Sequence, residues 1–164
     1  MTGTKCNIKL CYKQKMGRDT ETTNEEYVGS FIDRGSKRYL SYSRVMPEGQ
    51  KVDCLISFEH NKLTMTQKGD IQSKLEFSPG ARTRNAYNTP MGMMTIVVHT
   101  KRLVIEHKDT EINLLIDYDL EAGGEPINTV ITIKAIFLLS KYSKMFICFI
   151  SLIFHLLSKN LQGR

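Results

Sequence analysis

The sequence predicts an all-β protein whose strands close into an antiparallel up-and-down barrel of about 8–10 strands. Three observations carry this. Apolar and polar residues alternate with a period of two in segment after segment of residues 1–134. Short Gly, Pro, Asn and Asp clusters separate those segments. No stretch before Lys134 repeats apolar residues at helical spacing over three turns. Short turns force antiparallel neighbours, because a parallel return needs a crossover of a dozen or more residues. A meander of this length must close or leave two edges unpaired. A two-sheet sandwich ranks second, since its crossings need longer connections than the sequence offers.

The strands follow in order. Cys6, Ile8, Leu10 and Tyr12 alternate with Asn7, Lys9, Cys11 and Lys13, and Gly17-Arg18-Asp19-Thr20 ends this first strand. Tyr27 to Ile32 forms a second, with Gly29 marking a bulge or a bend at a barrel corner. Asp33-Arg34-Gly35-Ser36 turns into the short aromatic strand Tyr39-Leu40-Ser41-Tyr42. Val52, Cys54, Ile56 and Phe58 give a fourth, Leu63, Met65 and Gln67 a fifth, and Ile71, Ser73, Leu75 and Phe77 a sixth. Arg82 to Tyr87 is extended but weakly patterned, an edge-like seventh. The eighth carries Met94, Ile96, Val98 and Thr100, then Leu103 and Ile105. The phase changes near Lys101, which predicts a bulge.

The clearest pair closes the set. Ile112, Leu114, Ile116, Tyr118 and Leu120 alternate with a mostly acidic row, and after Gly123-Gly124 comes Ile127, Thr129, Ile131 and Ile133. Two such strands cannot bury an apolar face alone, so the other strands must curl back over them.

Residues 1–134 are thus expected as one barrel domain and 135–164 as an apolar C-terminal extension. A chain of 164 residues buries roughly 70% of its unfolded surface, so no disulfide or metal is needed for stability. Cys6, Cys11, Cys54 and Cys148 match neither a zinc pattern nor a paired framework, which suits reduced thiols in a cytoplasmic protein. The N-terminus shows no apolar signal-peptide core. The formal charge of +6 sits partly in Lys141, Lys144, Lys159 and Arg164; residues 1–134 carry only +2. This argues against nucleic-acid binding by the barrel. Lys9, Lys13, Lys15 and Arg18, with Tyr12 among them, form a basic stripe, but Glu21, Glu25 and Glu26 follow at once and make the surface mixed.

In the extension, Met145 to Leu157 is thirteen residues of almost unbroken apolar character. A membrane helix needs about 20, and a lysine near its middle costs about 2.5–3.5 kcal/mol. Membrane contact is therefore expected only through this extension, if anywhere. A helix packed on the barrel wall and an atypical appendage are the other readings.

Five further residues or groups bear on a resemblance. Phe77-Ser78-Pro79-Gly80, Tyr87, and Asn88-Thr89-Pro90-Met91-Gly92 occur in this order before a strand ending in Thr100. Tyr39-Leu40-Ser41-Tyr42 and Asp117-Tyr118-Asp119 flank them. The pattern, over roughly residues 4 to 134, resembles the YwiB-like bacterial family, a domain of unknown function. The resemblance implies a calycin-like, lipocalin-like barrel with a ligand cup, and no established activity. Members of that family usually stop just after the last strand, and the apolar extension departs from this.

No catalytic constellation stands out. His60, His99, His107 and His155 have no companions at recognisable spacing, and the Asp117 and Asp119 pair belongs to a solvated outer row. No phosphate loop, cofactor motif or metal motif is present. The expected function is non-enzymatic binding of a small molecule, an anion among the candidates, or of a protein partner. The alternative is an enzyme whose site is assembled inside the barrel from separate strands. For a cup, the candidate ligand-binding residues are Arg82, Arg84 and Tyr87, with Tyr39, Tyr42 and Tyr118 as aromatic walls. Arg82 and Arg84 share a strand face and could grip an anion.

Overall fold

The alternation is realised in ten strands. A computed structural model describes residues 3–138. It contains β1 (Thr4–Met16), β2 (Asp19–Arg34), β3 (Lys37–Val45), β4 (Lys51–Glu59), β5 (Lys62–Gly69), β6 (Gln72–Phe77), β7 (Arg82–Thr89), β8 (Gly92–His107), β9 (Glu111–Glu121) and β10 (Ile127–Phe137). All neighbours are antiparallel, and β1 pairs with β10 to close the barrel. The described residues include no helix, so none is long and apolar enough to cross a membrane. The apolar extension from residue 139 onward lies outside the described residues, with every expectation made for it; β10 itself runs on to Phe137.

Inward rows make one continuous core. Cys6, Ile8 and Leu10 of β1, Val52, Ile56 and Phe58 of β4, Ile112, Leu114 and Ile116 of β9, and Ile131, Ile133 and Ala135 of β10 are buried together. Each large aliphatic side chain so buried contributes about 1.5–3 kcal/mol. The phase change near Lys101 is a register shift between Thr100 and Arg102, as the sequence predicts. It lets Thr100 and Leu103 both face inward on one strand. The weakly patterned β7 pairs with β8 along its length but touches the β6 ladder only at Gln72↔Asn88 and Ser73↔Tyr87.

The barrel has two unlike ends. Up-and-down order places the β2–β3, β4–β5, β6–β7 and β8–β9 turns at one end and the remaining turns at the other. Near the first end lie Phe31, Phe58, Leu63, Phe77 and Phe137, with Phe31 and Phe137 stacked at 4.9 Å. Toward the second end the inner face turns polar. Of the buried polar residues, Ser73 and Thr129 lie in that half, and Asn85 and Thr100 near the middle of their strands.

The wall is not uniform. β2 pairs with β1 from Phe31 back to Asp19, but with β3 only from Ser30 to Arg34. Gly29 stands where β2 and β3 part. A Cβ there would lie 2.5 Å from the Ser41 carbonyl oxygen and 2.5 Å from Ile8 Cδ1. Only a residue without a side chain lets the two backbones come this close before they diverge.

Gly29→Ala is therefore expected to lower stability by about 1–3 kcal/mol through overpacking at the fork. Gly124→Ala, where an added methyl meets nothing within 4 Å, should stay within about 0.5 kcal/mol of the parent. Urea unfolding of both variants checks the contrast.

Candidate binding site at the fork between two strands

Below Gly29, side chains replace the backbone ladder between β2 and β3. Tyr27 and Tyr42 stack with ring centroids 4.7 Å apart and planes 24° from parallel. One step further, Arg44 Nη1 lies 3.6 Å from Glu25 Oε2. Both charged side chains are largely buried. Tyr12 of β1 and Cys54 of β4 complete the group around Tyr42. These positions follow from alternation: Leu40, Tyr42 and Arg44 share the inner face of β3, and Glu25 and Tyr27 share that of β2.

The cluster's electrostatics follow from its burial. Burial pushes the Tyr12 hydroxyl up to about 12, and the Glu25 carboxylate adds to the shift. Tyr42 and Tyr27 are displaced in the same direction, again chiefly by burial. Burial opposes the charge on Arg44, but Cys54, Tyr12 and Glu25 more than offset it, so the guanidinium stays cationic. The buried Cys54 thiol is pushed up by desolvation and is not a reactive thiolate.

Several polar atoms here have no hydrogen-bond partner among the described residues: Glu25 Oε2, Arg44 Nε, Thr100 Oγ1 and Thr129 Oγ1. Thr100 and Thr129 are 0% and 1% exposed, so bulk water does not reach them. They flank Tyr118 on adjacent strands, through Thr100↔Tyr118 and Thr129↔Tyr118. Each such atom costs about 1–3 kcal/mol while unpaired. The inner polar half therefore offers a cation, hydroxyls and a carboxylate with unused capacity.

On the outer side the fork opens into a concavity of about 650 Å³. Lys5 and Lys68 line it, together with Ser30, Ser41, Ser43 and Thr66. Asp53 is held by the Ser43 hydroxyl, which donates to it at 2.6 Å. Val28 and Leu55, 68% and 40% exposed, give the hollow an apolar floor beside the backbone of Gly29 and Tyr42. A smaller hollow of about 280 Å³ adjoins it through Ser41 and Leu55 and is lined by Ile32, Arg34 and Tyr39.

The residues singled out from sequence fall in three places. Tyr42 and Tyr118 are buried inside, Tyr118 against Phe77 at 5.0 Å, and half-buried Tyr87 packs on the same core. Tyr39 points outward, with the Arg34 guanidinium 5.6 Å over its ring. Arg82 and Arg84 are exposed on β7, across the barrel from the fork, and Arg82 donates to Glu121 at 2.8 Å. The structure thus brings Tyr42, Tyr87 and Tyr118 to one inner face and leaves Tyr39, Arg82 and Arg84 outside. Arg44, Glu25 and Tyr12 were not among the sequence candidates, although parity with Tyr42 and Tyr27 was the signal that could have found Arg44 and Glu25. His60, His99 and His107 are exposed, and no cluster of metal-ligating side chains occurs among the described residues.

Comparison with known proteins agrees with this architecture. The family model described as a domain of unknown function (DUF1934) matches residues 8–133. A solved structure, the ywiB protein from Bacillus subtilis, superposes with a TM-score of 0.76 at 19% sequence identity, covering 83% of this chain and 93% of that one. At that identity the likeness speaks to the fold alone. No curated protein matches the chain at a significant level.

The buried tyrosines set a pH dependence. The unfolded chain releases the Tyr12 proton near the ordinary tyrosine value of about 10, whereas the folded protein holds it up to about 12. Tyr12 should therefore leave folding stability level below pH 10 and lower it by about 1.4 kcal/mol per pH unit between about pH 10 and 12, on top of a fall from about pH 9 set by the Cys6 thiol, which burial pushes up to about 11. Tyr12→Phe should remove its own share of that fall. Urea midpoints between pH 8 and pH 11.5 for parent and variant measure it.

Proposed function

Since the chain belongs to the DUF1934 family, a domain of unknown function, we propose that it is a non-enzymatic binding domain whose ligand is a small anionic molecule held at the β2–β3 fork. The observation that carries this reading is the concavity of about 650 Å³ where the wall parts. Its size falls within the range of small-molecule sites, about 300–1,000 Å³, and it combines apolar floor with a few polar groups, as such sites do. Lys5 and Lys68 supply positive charge against the single carboxylate of Asp53, which the Ser43 hydroxyl holds. Hydroxyls of Ser30, Ser41 and Thr66 offer neutral donors. Tyr42 forms part of the floor and Tyr39 a wall of the adjoining hollow. In this reading Tyr87 and Tyr118 support the inner polar half, and Arg82 and Arg84 form a separate cationic patch on the opposite wall.

The reading places the protein in the bacterial cytoplasm, where Cys6, Cys11 and Cys54, all free, stay reduced. A calycin-like barrel that uses a lateral opening, rather than a deep cup, fits the packed apolar core. Proton transfer or acyl transfer at the fork finds no support among the described residues, where no histidine stands beside Cys54, Tyr42 or Glu25 and burial pushes the thiol up.

A thermal-shift screen of the full chain against anionic metabolites, with mass spectrometry of gently purified protein, tests this. A true ligand at about a hundred times its Kd stabilises by about 2.7 kcal/mol, or roughly 5–10 °C in Tm for a chain of this size. Lys5→Glu with Lys68→Glu should remove most of that shift. A screen without hits, or a shift unaffected by the double variant, would reject the fork as the site.

A further inference from the structure

Among the described residues, β2 continues past the fork without a strand beside it. It begins at Asp19, while β3 ends at Val45. Counting on from the last paired residues, Ser30↔Ser41, puts Val45 level with Glu26. Residues Asp19–Glu25 thus overhang β3 while remaining fully paired with β1 on the other side. The direction of their backbone groups follows from the β1–β2 turn. Gly17-Arg18 is a two-residue connection closed by Met16↔Asp19, so residues 19, 21, 23 and 25 bond to β1. The N–H and C=O groups of Thr20, Thr22, Asn24 and Glu26 point the other way. Among the described residues none of these groups takes part in a backbone hydrogen bond on that side.

Free edges in monomeric proteins are usually blunted by proline, a bulge or charged side chains, lysine above all. Here Asp19–Val28 holds no Pro and no Lys, its register with β1 is unbroken, and charge is the one blunting device present. On its inner-facing row it carries acidic residues, while the outer-facing row of the same hairpin is basic through Lys9, Lys13 and Lys15 of β1. Asp19, Glu21, Glu25 and Glu26 lie within eight residues. Glu26 is paired with Lys9 and Glu25 with Arg44, whereas Asp19 and Glu21 form no ion pair among the described residues.

We propose that the overhanging edge of β2 is a strand-addition site for an extended, basic segment of another protein. Such a segment would complete the ladder through Thr20, Thr22, Asn24 and Glu26. Its alternate side chains would fall opposite the row that carries Glu21 and Glu25, where opposite charges across a strand pair attract and like charges repel. That same rule disfavours a second copy of this chain as the occupant. In the registers centred on Thr22 or Thr23, edge-to-edge pairing of two β2 strands would set Glu25 against Asp19 or Glu21.

The probe is a fluorescein-labelled ten-residue peptide of alternating lysine and threonine, followed by anisotropy against the full chain. Saturable binding that weakens with salt is expected. Thr22→Pro with Asn24→Pro removes two N–H donors from the free side and none from the β1 ladder. It should weaken binding by at least about tenfold while the thermal melt stays cooperative. Glu21→Lys, an exposed change remote from the core, should weaken it several-fold and provides a reading if the proline variant folds poorly. A peptide of the same charge with proline at alternate positions should bind no more tightly than salt-sensitive background. The proposal is overturned if the probe does not bind, if Glu21→Lys and the proline variant bind it as the parent does, or if the proline-containing peptide binds equally well. It is also overturned if sedimentation shows a dimer of the free protein that the Thr22→Pro, Asn24→Pro variant abolishes, since a second copy would then own the edge.

Discussion

Each strand of a sheet satisfies its backbone only while it has a neighbour on both sides. Everything distinctive in this molecule follows from how nearly that condition is met. Ten antiparallel strands joined by short turns leave two edges, and the β1–β10 ladder from Lys15↔Asn128 to Cys6↔Phe137 removes both. Closure places alternate side chains inside, and the inner rows supply the apolar burial that offsets the entropy of ordering long strands. The departure that leaves a strand overhanging its neighbour is between β2 and β3. There Gly29 permits a crossing too tight for any side chain, and the strands separate. Pairing between β6 and β7 is also thin, but those strands lie in the body of the wall and do not overhang a neighbour.

Strand positions were legible because one face is oily. Wherever the inner row is apolar, as in Val52-Cys54-Ile56-Phe58 or Ile112-Leu114-Ile116, the period of two is visible without a structure. Even the bulge at Lys101 announces itself, since Thr100 and Leu103 cannot otherwise share a face. The pattern falls silent where both faces are polar. Thr20 to Glu26 alternates nothing against nothing, so the second strand reads as starting at Tyr27 when it starts at Asp19. The fork is invisible for a different reason: a missing ladder leaves no mark on hydrophobicity, and only Gly29 hints at it.

The candidate site shows the same division. Tyr39 and Tyr42 differ by an odd number of residues, and so do Arg84 and Tyr87. On regular strands the members of each pair face opposite sides, so they could not all line one cup. The structure divides them accordingly. Arg44 and Glu25 escaped notice because an inward charge looks, in sequence, like the end of a strand. Their place on the inner face depends on parity with Tyr42 and Tyr27, not on their own chemistry.

That an arginine and a glutamate face inward here is itself informative. A barrel built only for stability gains by filling such positions with leucine or methionine, because the desolvation of two charges commonly exceeds their attraction. At 3.6 Å the pair is not even a close one, and Glu25 Oε2 and Arg44 Nε lack hydrogen bonds among the described residues. The phenyl-rich end shows that this chain does fill its interior with apolar groups where nothing else is required. Polar groups gather instead where the backbone ladder fails, beside a hollow with two lysines on its outer rim. A structural explanation would need the pair to seal the fork, yet the Tyr27–Tyr42 stack already spans it. What remains is an ion pair kept in the wall beside the fork, where the backbone ladder between β2 and β3 has ended.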